Sequence, residues 1–246
     1  KNTTAGAVNI STKLPSFTPE GEVEASLGTH NFVQIKGAIS GPIAADKLAF
    51  RLALGKTARD GFVRSTITGR TVNDQDNLGL RGQLLWKAAD VLTLRLSADY
   101  NRSDADCCTQ VFVRAGKTLR PANRQFASLA ASLGYAPPSL NPYDRLADAD
   151  APIQARSALG GASLIADYDF GRATLTSVTA WRWWDWQPAN DRDYTALDIL
   201  RQSANPVQQD QYSQELRLSS NGTNKLDYTV GLFAYRQKLR GQNVTE

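Results

Sequence analysis

Several segments of the chain alternate apolar and polar residues with a period of two. The clearest places Leu92, Leu94 and Leu96 on one side of the chain and Arg95 and Asp99 on the other. Alternate side chains of a β-strand point to opposite faces, so this pattern predicts strands whose two faces meet different surroundings. Similar segments predict strands over 21–29, 32–41, 47–58, 76–87, 91–102, 156–170, 172–186, 211–220 and 225–240.

The connections between these strands alternate between short and long. Short turns rich in Gly, Pro, Asn and Asp lie near 41–47, 87–91, 170–172 and 220–225, whereas long loops span about 59–76, 103–155 and 187–211. The first hairpin, with its tight turn at 28–31, is the exception. Long loops at one end and short turns at the other are typical of outer-membrane barrels. The sequence therefore predicts an all-β, antiparallel, up-and-down transmembrane β-barrel wall.

The longest loop is expected to contain a short helix. Apolar residues recur at helical spacing between Phe126 and Leu133, with Asn123 as a candidate cap before them and Gly134 after them. A loop that keeps local structure of this kind is often functional.

Composition removes several classes of function. No apolar run approaches the roughly 18 residues of a membrane-spanning helix, and the formal charge of +4 is scattered, without the basic block of a nucleic-acid footprint. His30 is the single histidine, and the two cysteines, Cys107 and Cys108, are adjacent, which fits neither a zinc site nor a CxxC motif. We expect no catalytic residues, no metal site, no cofactor and no nucleic-acid partner.

Charged residues on the polar sides of the predicted strands are candidates to line the lumen of the barrel. Lumen-facing positions are polar by default, so a structural role is expected, with an anionic substrate path as the alternative. The candidates are Arg51, Arg81, Arg95, Glu215 and Arg217.

Aromatic residues near the strand ends are candidates for the girdles at the two membrane interfaces. Trp183 and Trp184 are adjacent and face opposite ways in a regular strand, so one of them is expected to point to the lumen. A competing interpretation is a platform on which a sugar or another ring ligand stacks. The girdle candidates are Trp86, Tyr100, Tyr168, Trp181, Trp184, Trp186 and Tyr228.

Charged residues of the predicted long loops are candidate ligand contacts, with ordinary solvated loop residues as the alternative. They are Asp104, Asp106, Asp191, Arg192 and Asp193. An oxidising compartment disfavours free thiols at Cys107 and Cys108, which leaves a strained mutual bond or a partner elsewhere open. His30, in the tight first turn, is expected to be a surface residue.

The opening of the chain resembles the end of the plug domain in TonB-dependent outer-membrane receptors. In that family a small-residue pair, here Ala5-Gly6 where two glycines are common, precedes a tail of the form I/V-N-x-x-T-K/R-x-P. Residues 8–15 read VNISTKLP and match that tail. Segments 21–31, 37–42, 48–51 and 59–62 and the Cys-Cys pair also resemble the family, so the likeness covers essentially the whole chain.

The resemblance implies that residues 1–15 end a plug domain and that 16–246 form the N-terminal part of a barrel of about 22 strands. Such a receptor lies in the outer membrane of a Gram-negative bacterium and imports a scarce nutrient with energy from TonB. A ferric siderophore is the first expectation, and cobalamin, haem or a glycan are alternatives. The implied partners are the plug, outer-membrane lipid, the ligand, and TonB through a segment outside this chain.

Two other classes of protein compete with a receptor. A soluble or secreted β-sandwich would bury the leucine-rich faces against each other. An enzyme built on an outer-membrane barrel would need a Ser/His/Asp set, for which His30 is the only histidine. We therefore expect transport without covalent chemistry.

Overall fold

The structure, a computed structural model, describes residues 10–200, 202–222 and 226–245. Its helix α1 spans Phe126–Ser132. The strands, in chain order, are β1 (Glu20–Gly28), β2 (Phe32–Ala44), β3 (Leu48–Arg59), β4 (Val63–Ser65), β5 (Thr71–Val72), β6 (Gln75–Ala89), β7 (Leu92–Ala105), β8 (Leu146–Ala147), β9 (Gln154–Asp169), β10 (Ala173–Ala189), β11 (Ser203–Ala204), β12 (Val207–Ser220), β13 (Thr229–Gly241) and β14 (Val244–Thr245).

The long strands form one nine-stranded sheet in the order β1-β2-β3-β6-β7-β9-β10-β12-β13. Every neighbouring pair is antiparallel, which confirms the predicted up-and-down ladder. Several strands run further toward the long loops than the alternation indicated. For example, β12 begins at Val207 rather than at 211, because its backbone goes on pairing with β10 and β13 where the sequence is already polar.

The register sorts the side chains of the sheet into two faces. Paired residues share a face, and Glu20, Ser40, Arg51, Gln83 and Ser97 are paired in turn from β1 to β7. We call this side the polar face. The opposite side is the apolar face.

Among residues 10–200, 202–222 and 226–245, no second layer covers the apolar face of the sheet. Leu52 is 52% exposed and Leu96 is 44% exposed, although both belong to its most apolar part. Leucines buried between two sheets would be almost inaccessible. The described residues therefore do not form the β-sandwich that was the alternative.

The described part of the N-terminal segment lies against the polar face. The Gln83 side chain donates to Thr12 Oγ1 at 3.3 Å, Lys13 pairs with Glu20 at 3.3 Å, and the Ser16 amide donates to Ser40 Oγ at 2.8 Å. The chain therefore enters its first strand from the polar side of the sheet. Residues 1–9, which carry most of the predicted plug end, lie outside the described residues.

The long loops join into one layer, which we call the loop cap (60–74, 106–153, 190–200 and 202–206). Within it, β4 pairs with β5 and, in parallel, with β8 from the next loop. Asn73 and Thr109 exchange two hydrogen bonds of 2.9 and 3.0 Å between the same two loops. Farther along, β11 pairs with β14. These short strands carry no alternating pattern and were not predicted.

The predicted helix is present as α1, which ends at the predicted glycine. Gly134 follows the helix with a φ of +68°, in the left-handed region that favours glycine, and its amide donates to the carbonyl of Ala131. The predicted N-cap residue of the helix is wrong, because Asn123 lies in a 3-10 helix (Ala122–Arg124) and the residue that caps α1 is Gln125. Cys107 and Cys108 are bonded to each other.

Candidate ligand site on the polar face

Three ion-pair networks run across the polar face. Arg51, only 8% exposed, donates to Glu20 at 3.1 Å and to Glu22 at 2.6 Å, which joins β3 to β1 across β2. Arg81 and Arg182 both donate to Asp99, at 3.3 and 2.6 Å.

The third network lies nearer the short turns. Arg95 donates to Asp167 at 2.7 Å, and the Thr176 hydroxyl donates to the same carboxylate at 2.7 Å. Glu215 and Arg217 form a further pair on this face at 3.1 Å. All five residues predicted to face the lumen therefore share the polar face.

Two tryptophans form a shelf on the same face, near the long loops. The rings of Trp184 and Trp186 lie 6.2 Å apart with an interplanar angle of 23°. Trp184 Nε1 donates to Ser157 Oγ at 2.9 Å, which fixes the orientation of its ring. Arg182 lies one pair closer to the short turns on the same strand face. The shelf thus combines a stacked aromatic surface with a nearby guanidinium.

Amide side chains and a phenol lie beside the shelf on β12 and β13. Gln209 is the direct partner of Trp184, and Gln211 is the direct partner of Arg182. The Tyr235 hydroxyl lies 3.4 Å from the Gln211 side-chain oxygen and 2.6 Å from that of Gln237. Together these groups can stack on a ring and form hydrogen bonds at its edge.

This arrangement corrects part of the predicted aromatic girdle. Trp184 and Trp186 share their face with Arg182, whereas Trp181 and Trp183 occupy the opposite one. A strand alternates its side chains, so these two pairs cannot belong to one outward belt. The predicted split of Trp183 and Trp184 between two faces is confirmed.

The other girdle candidates lie on or near the apolar face. Tyr100 and Trp181 lie toward the long loops, and Tyr100 is 6.1 Å from the Trp183 ring. Trp86 and Tyr168 lie toward the short turns. Tyr228 lies just before β13, where its carbonyl accepts from the Ser220 amide.

The charged loop candidates occupy three different settings. Asp104 belongs to β7, where it pairs with Arg102 and with Arg156, so its assignment to a loop is wrong. Asp106 pairs with Arg70 at 2.8 Å. Arg192 is exposed.

Asp191 is fully buried, with 0% exposure, and its expected contact with an extracellular ligand is therefore contradicted. Its carboxylate accepts from the amides of Asp150 (2.9 Å), Asp193 (3.1 Å) and Tyr194 (2.9 Å). Burial raises the pKa of Asp191 above its ordinary value, against the lowering effect of these hydrogen bonds. Asp191 thus fastens one long loop to another.

Neighbouring acids add to this fastening. Asp193 accepts from the Thr195 amide at 2.9 Å and the Leu200 amide at 3.1 Å. Burial, and then the hydrogen bond and charge of Asp148, raise the pKa of Tyr135 far above its usual range. Residues 148–153 and 190–200 of the loop cap are therefore held together largely by the carboxylates of Asp191 and Asp193.

The sequence did not single out Arg182, Asp99 or Asp167 as site residues. Their roles depend on which strands are neighbours, since Arg182 and Asp99 are 83 positions apart in the chain. A signal was present for Arg182, which stands inside the tryptophan cluster on the same strand face as Trp184.

Two kinds of feature are absent from the described residues. No helix there is long and apolar enough to cross a membrane. No group of three or more His, Cys, Asp or Glu side chains within 10–200, 202–222 and 226–245 is arranged to hold a metal ion.

Several solved structures are similar to the chain, while no protein-family model matches it. The chain is similar to the ferric yersiniabactin uptake receptor FyuA from Yersinia pestis, with a TM-score of 0.71 and 18% identity over 95% of this chain. It is also similar to FpvAI in its complex with pyocin S2, with a TM-score of 0.66 and 12% identity over 94% of this chain. It spans 33% and 28% of those two chains.

The chain has the barrel fold of TonB-dependent receptors. In this receptor fold the apolar band of the wall is on the outside and the polar side chains line the lumen. The tryptophan shelf and the arginine networks lie on the polar face of this chain, which corresponds to the lumenal face in that fold, and the shelf lies toward the long-loop end.

Proposed function

We propose that this chain is part of a TonB-dependent outer-membrane receptor of a Gram-negative bacterium that imports a ferric siderophore. Residues 1–15 would end its plug domain, and residues 16–246 would form the first part of its barrel. TonB, acting through a segment outside this chain, would supply the energy. One observation carries the proposal: an aromatic shelf with a nearby guanidinium lies on the polar face of a receptor fold.

The shelf fits a ligand that combines rings with negative charge. The Trp184 and Trp186 rings offer apolar area at low conformational cost, and stacked rings gain about 0.5–1.5 kcal/mol beyond burial. Arg182, half-exposed and shared with Asp99, offers a donor to an anionic group. Ferric siderophores that carry phenolate or catecholate rings combine these two properties.

The position of the N-terminal segment agrees with the proposed domain boundary. Thr12, Lys13 and Ser16 contact the polar face before β1 begins. A chain that leaves a plug inside the barrel must reach its first strand from the lumen. Arg51 and Arg81 are then placed to meet a plug as well as their partners within the wall.

The test is uptake of radioactive iron by cells that carry the full-length protein. A deletion strain and its complemented parent receive iron-55 bound to a phenolate, a catecholate or an aliphatic hydroxamate siderophore, each with and without functional TonB. We expect at least one ferric complex to enter only when both the protein and TonB are present. If none of the ferric complexes enters and uptake of cobalamin, haem or a glycan depends on the protein, the proposed siderophore ligand is wrong and that other nutrient takes its place.

A further inference from the structure

The apolar face of the sheet carries a groove of about 780 Å³. This volume lies within the range of small-molecule sites. Gly37, Gly82 and Ala98, which have almost no side chain, line it together with the larger Leu54, Leu80 and Tyr100. The register pairs Gly82 with Ala98 and Leu80 with Tyr100, so Gly82 and Ala98 lie one pair closer to the short turns than Leu80 and Tyr100 do.

A charged cluster lies next to this groove on the same face, on the side nearer the long loops. Lys56 follows Leu54 by two residues on β3, and Arg102 follows Tyr100 by two residues on β7. Arg156 of β9 pairs with Asp104 of β7. The groove and the basic residues are independent features that meet at the long-loop end of the apolar band.

The charge of this cluster is positive. Asp104 accepts from Arg156 at 2.7 Å and also from Arg102, so a single carboxylate faces two guanidinium groups. Lys56 is balanced by Asp76. One positive charge is left over beside Asp104, and both arginines are more than half exposed.

We propose that this groove binds a phosphorylated lipid of the outer leaflet, with one acyl chain on Gly82 and Ala98 and a phosphate on Arg102 and Arg156. The apolar lining has the chemistry of an acyl chain, and arginine side chains bind phosphate oxygens through two N–H groups. Tyr100, with an apolar ring and a polar hydroxyl, lies where chain and headgroup meet. The inference rests on the proposed function, which brings the apolar face into contact with outer-membrane lipid.

The experiment uses the full-length protein purified from outer membranes in mild detergent. Bisphosphorylated lipid A is titrated in, a fully dephosphorylated form is the comparison, and native mass spectrometry counts the bound lipid. Gly82→Leu fills the groove, and its added Cβ meets nothing nearer than Leu52 Cδ2 at 3.5 Å. Ala98→Leu is a second groove-filling variant. The double variant Arg102→Gln/Arg156→Gln removes the headgroup contacts.

Two matched controls separate the groove from general effects. Ala166→Leu adds the same bulk to the apolar face at a position that does not line the groove. Arg217→Gln removes an arginine from the polar face. Each variant is first checked for the resistance of a folded barrel to unfolding in cold SDS.

We expect the wild type and both controls to retain lipid A, and to retain the dephosphorylated form more weakly. The double arginine variant should lose about 30-fold in affinity, since each basic group near a membrane surface contributes about a fivefold factor. A folded Gly82→Leu or Ala98→Leu should also lose binding. Wild-type binding that no groove variant weakens would overturn the inference.

Iron uptake in the same variants keeps this result apart from the proposed function. Loss of lipid retention with uptake intact supports the lipid site. Intact uptake in a wild-type protein that retains no lipid A overturns the lipid site and leaves the transport proposal standing. Absence of the protein from outer-membrane fractions would overturn both.

Discussion

The strand ladder and the loop cap of this chain are held together in different ways. In the ladder, each backbone pairs with its neighbours, and ion pairs such as Arg51 with Glu20 add contacts between strands that backbone pairing already holds in one sheet. In the cap, buried carboxylates such as that of Asp191 accept amides from separate loops. The ladder therefore spreads its stability over many similar contacts, whereas the cap depends on a few side chains.

This difference predicts how much of the structure a single substitution should destabilise. A single substitution in the ladder removes one contact among many and should loosen one strand. A single substitution of a fastening carboxylate in the cap should release two loops together. The following tests use the full-length protein and run from the largest expected effect to the smallest.

Asp191→Ala should open the loop cap and leave the ladder folded. It leaves the amides of Asp150, Asp193 and Tyr194 without their acceptor, at a cost on the order of 3 kcal/mol of local stability. Limited proteolysis should cut the variant within 145–153 or 190–200 much faster than it cuts the wild type. Arg192→Gln, at the exposed neighbouring position, is the control, and the protease should cut it at the wild-type rate.

Arg51→Ala should loosen β1 without opening the cap. It leaves Glu20 without a partner on β3, and we expect a cost of about 2 kcal/mol, reduced by the exposure of the carboxylates. Hydrogen exchange of the β1 amides measures it. Lys36→Gln removes only the exposed pair with Glu24 and should change exchange little. Equal exchange rates in the two variants would show that the Arg51 ion pairs stabilise β1 no more than the exposed pair of Lys36 with Glu24 does.

Trp184→Ala should weaken binding of a ring-bearing ferric siderophore by about tenfold, because a stacking surface on the polar face is lost. Trp183→Ala, at the adjacent position on the opposite face, is the matched control. Quenching of intrinsic fluorescence on titration gives the two affinities. If Trp183→Ala has the larger effect, the shelf is not the binding surface.

Lowering the pH from 7 toward 5 should tighten the loop cap slightly. Burial raises the pKa of Asp191 above its ordinary value and also raises that of Asp74. The folded cap then binds protons more readily than the unfolded one, so its stability rises as the pH falls through the raised pKa and levels off below the ordinary one. Hydrogen exchange of residues 190–198, corrected for intrinsic rates, should slow.

Asp191→Asn provides the reference for that pH dependence, because an amide does not titrate. Its exchange rates should lack the part of the change that Asp191 contributes. A cap that loosens in the wild type as the pH falls would contradict the assigned direction.

Local pattern was enough to predict the ladder, and it also contained the information on where the tryptophans of β10 point. Leu92, Leu94 and Leu96 alternate with polar residues, and that rule holds whatever the neighbouring strands are. Assigning Trp184 and Trp186 to the outer girdle failed because the prediction treated clustered tryptophans as one set. Strand alternation places them with Arg182, on the polar face.

The candidate site depended on strand pairing, which no local pattern supplies. Asp99 meets Arg182 only because β9 lies between β7 and β10, in one particular register. The outward groove over Gly82 and Ala98 has the same origin, since their adjacency follows from the pairing of β6 with β7.

The sequence by itself determined the strands, the two chemically different faces and the single end at which the long loops gather. Those properties follow from the period of two and from turn chemistry, both of which act over a few residues. Tertiary structure decided the ion-pair partners, the tryptophan shelf and the burial of Asp191. These features depend on strand register and loop packing between residues that are distant in the sequence. Such contacts stabilise the protein only once folding has brought the two partners together, so no local pattern encodes them.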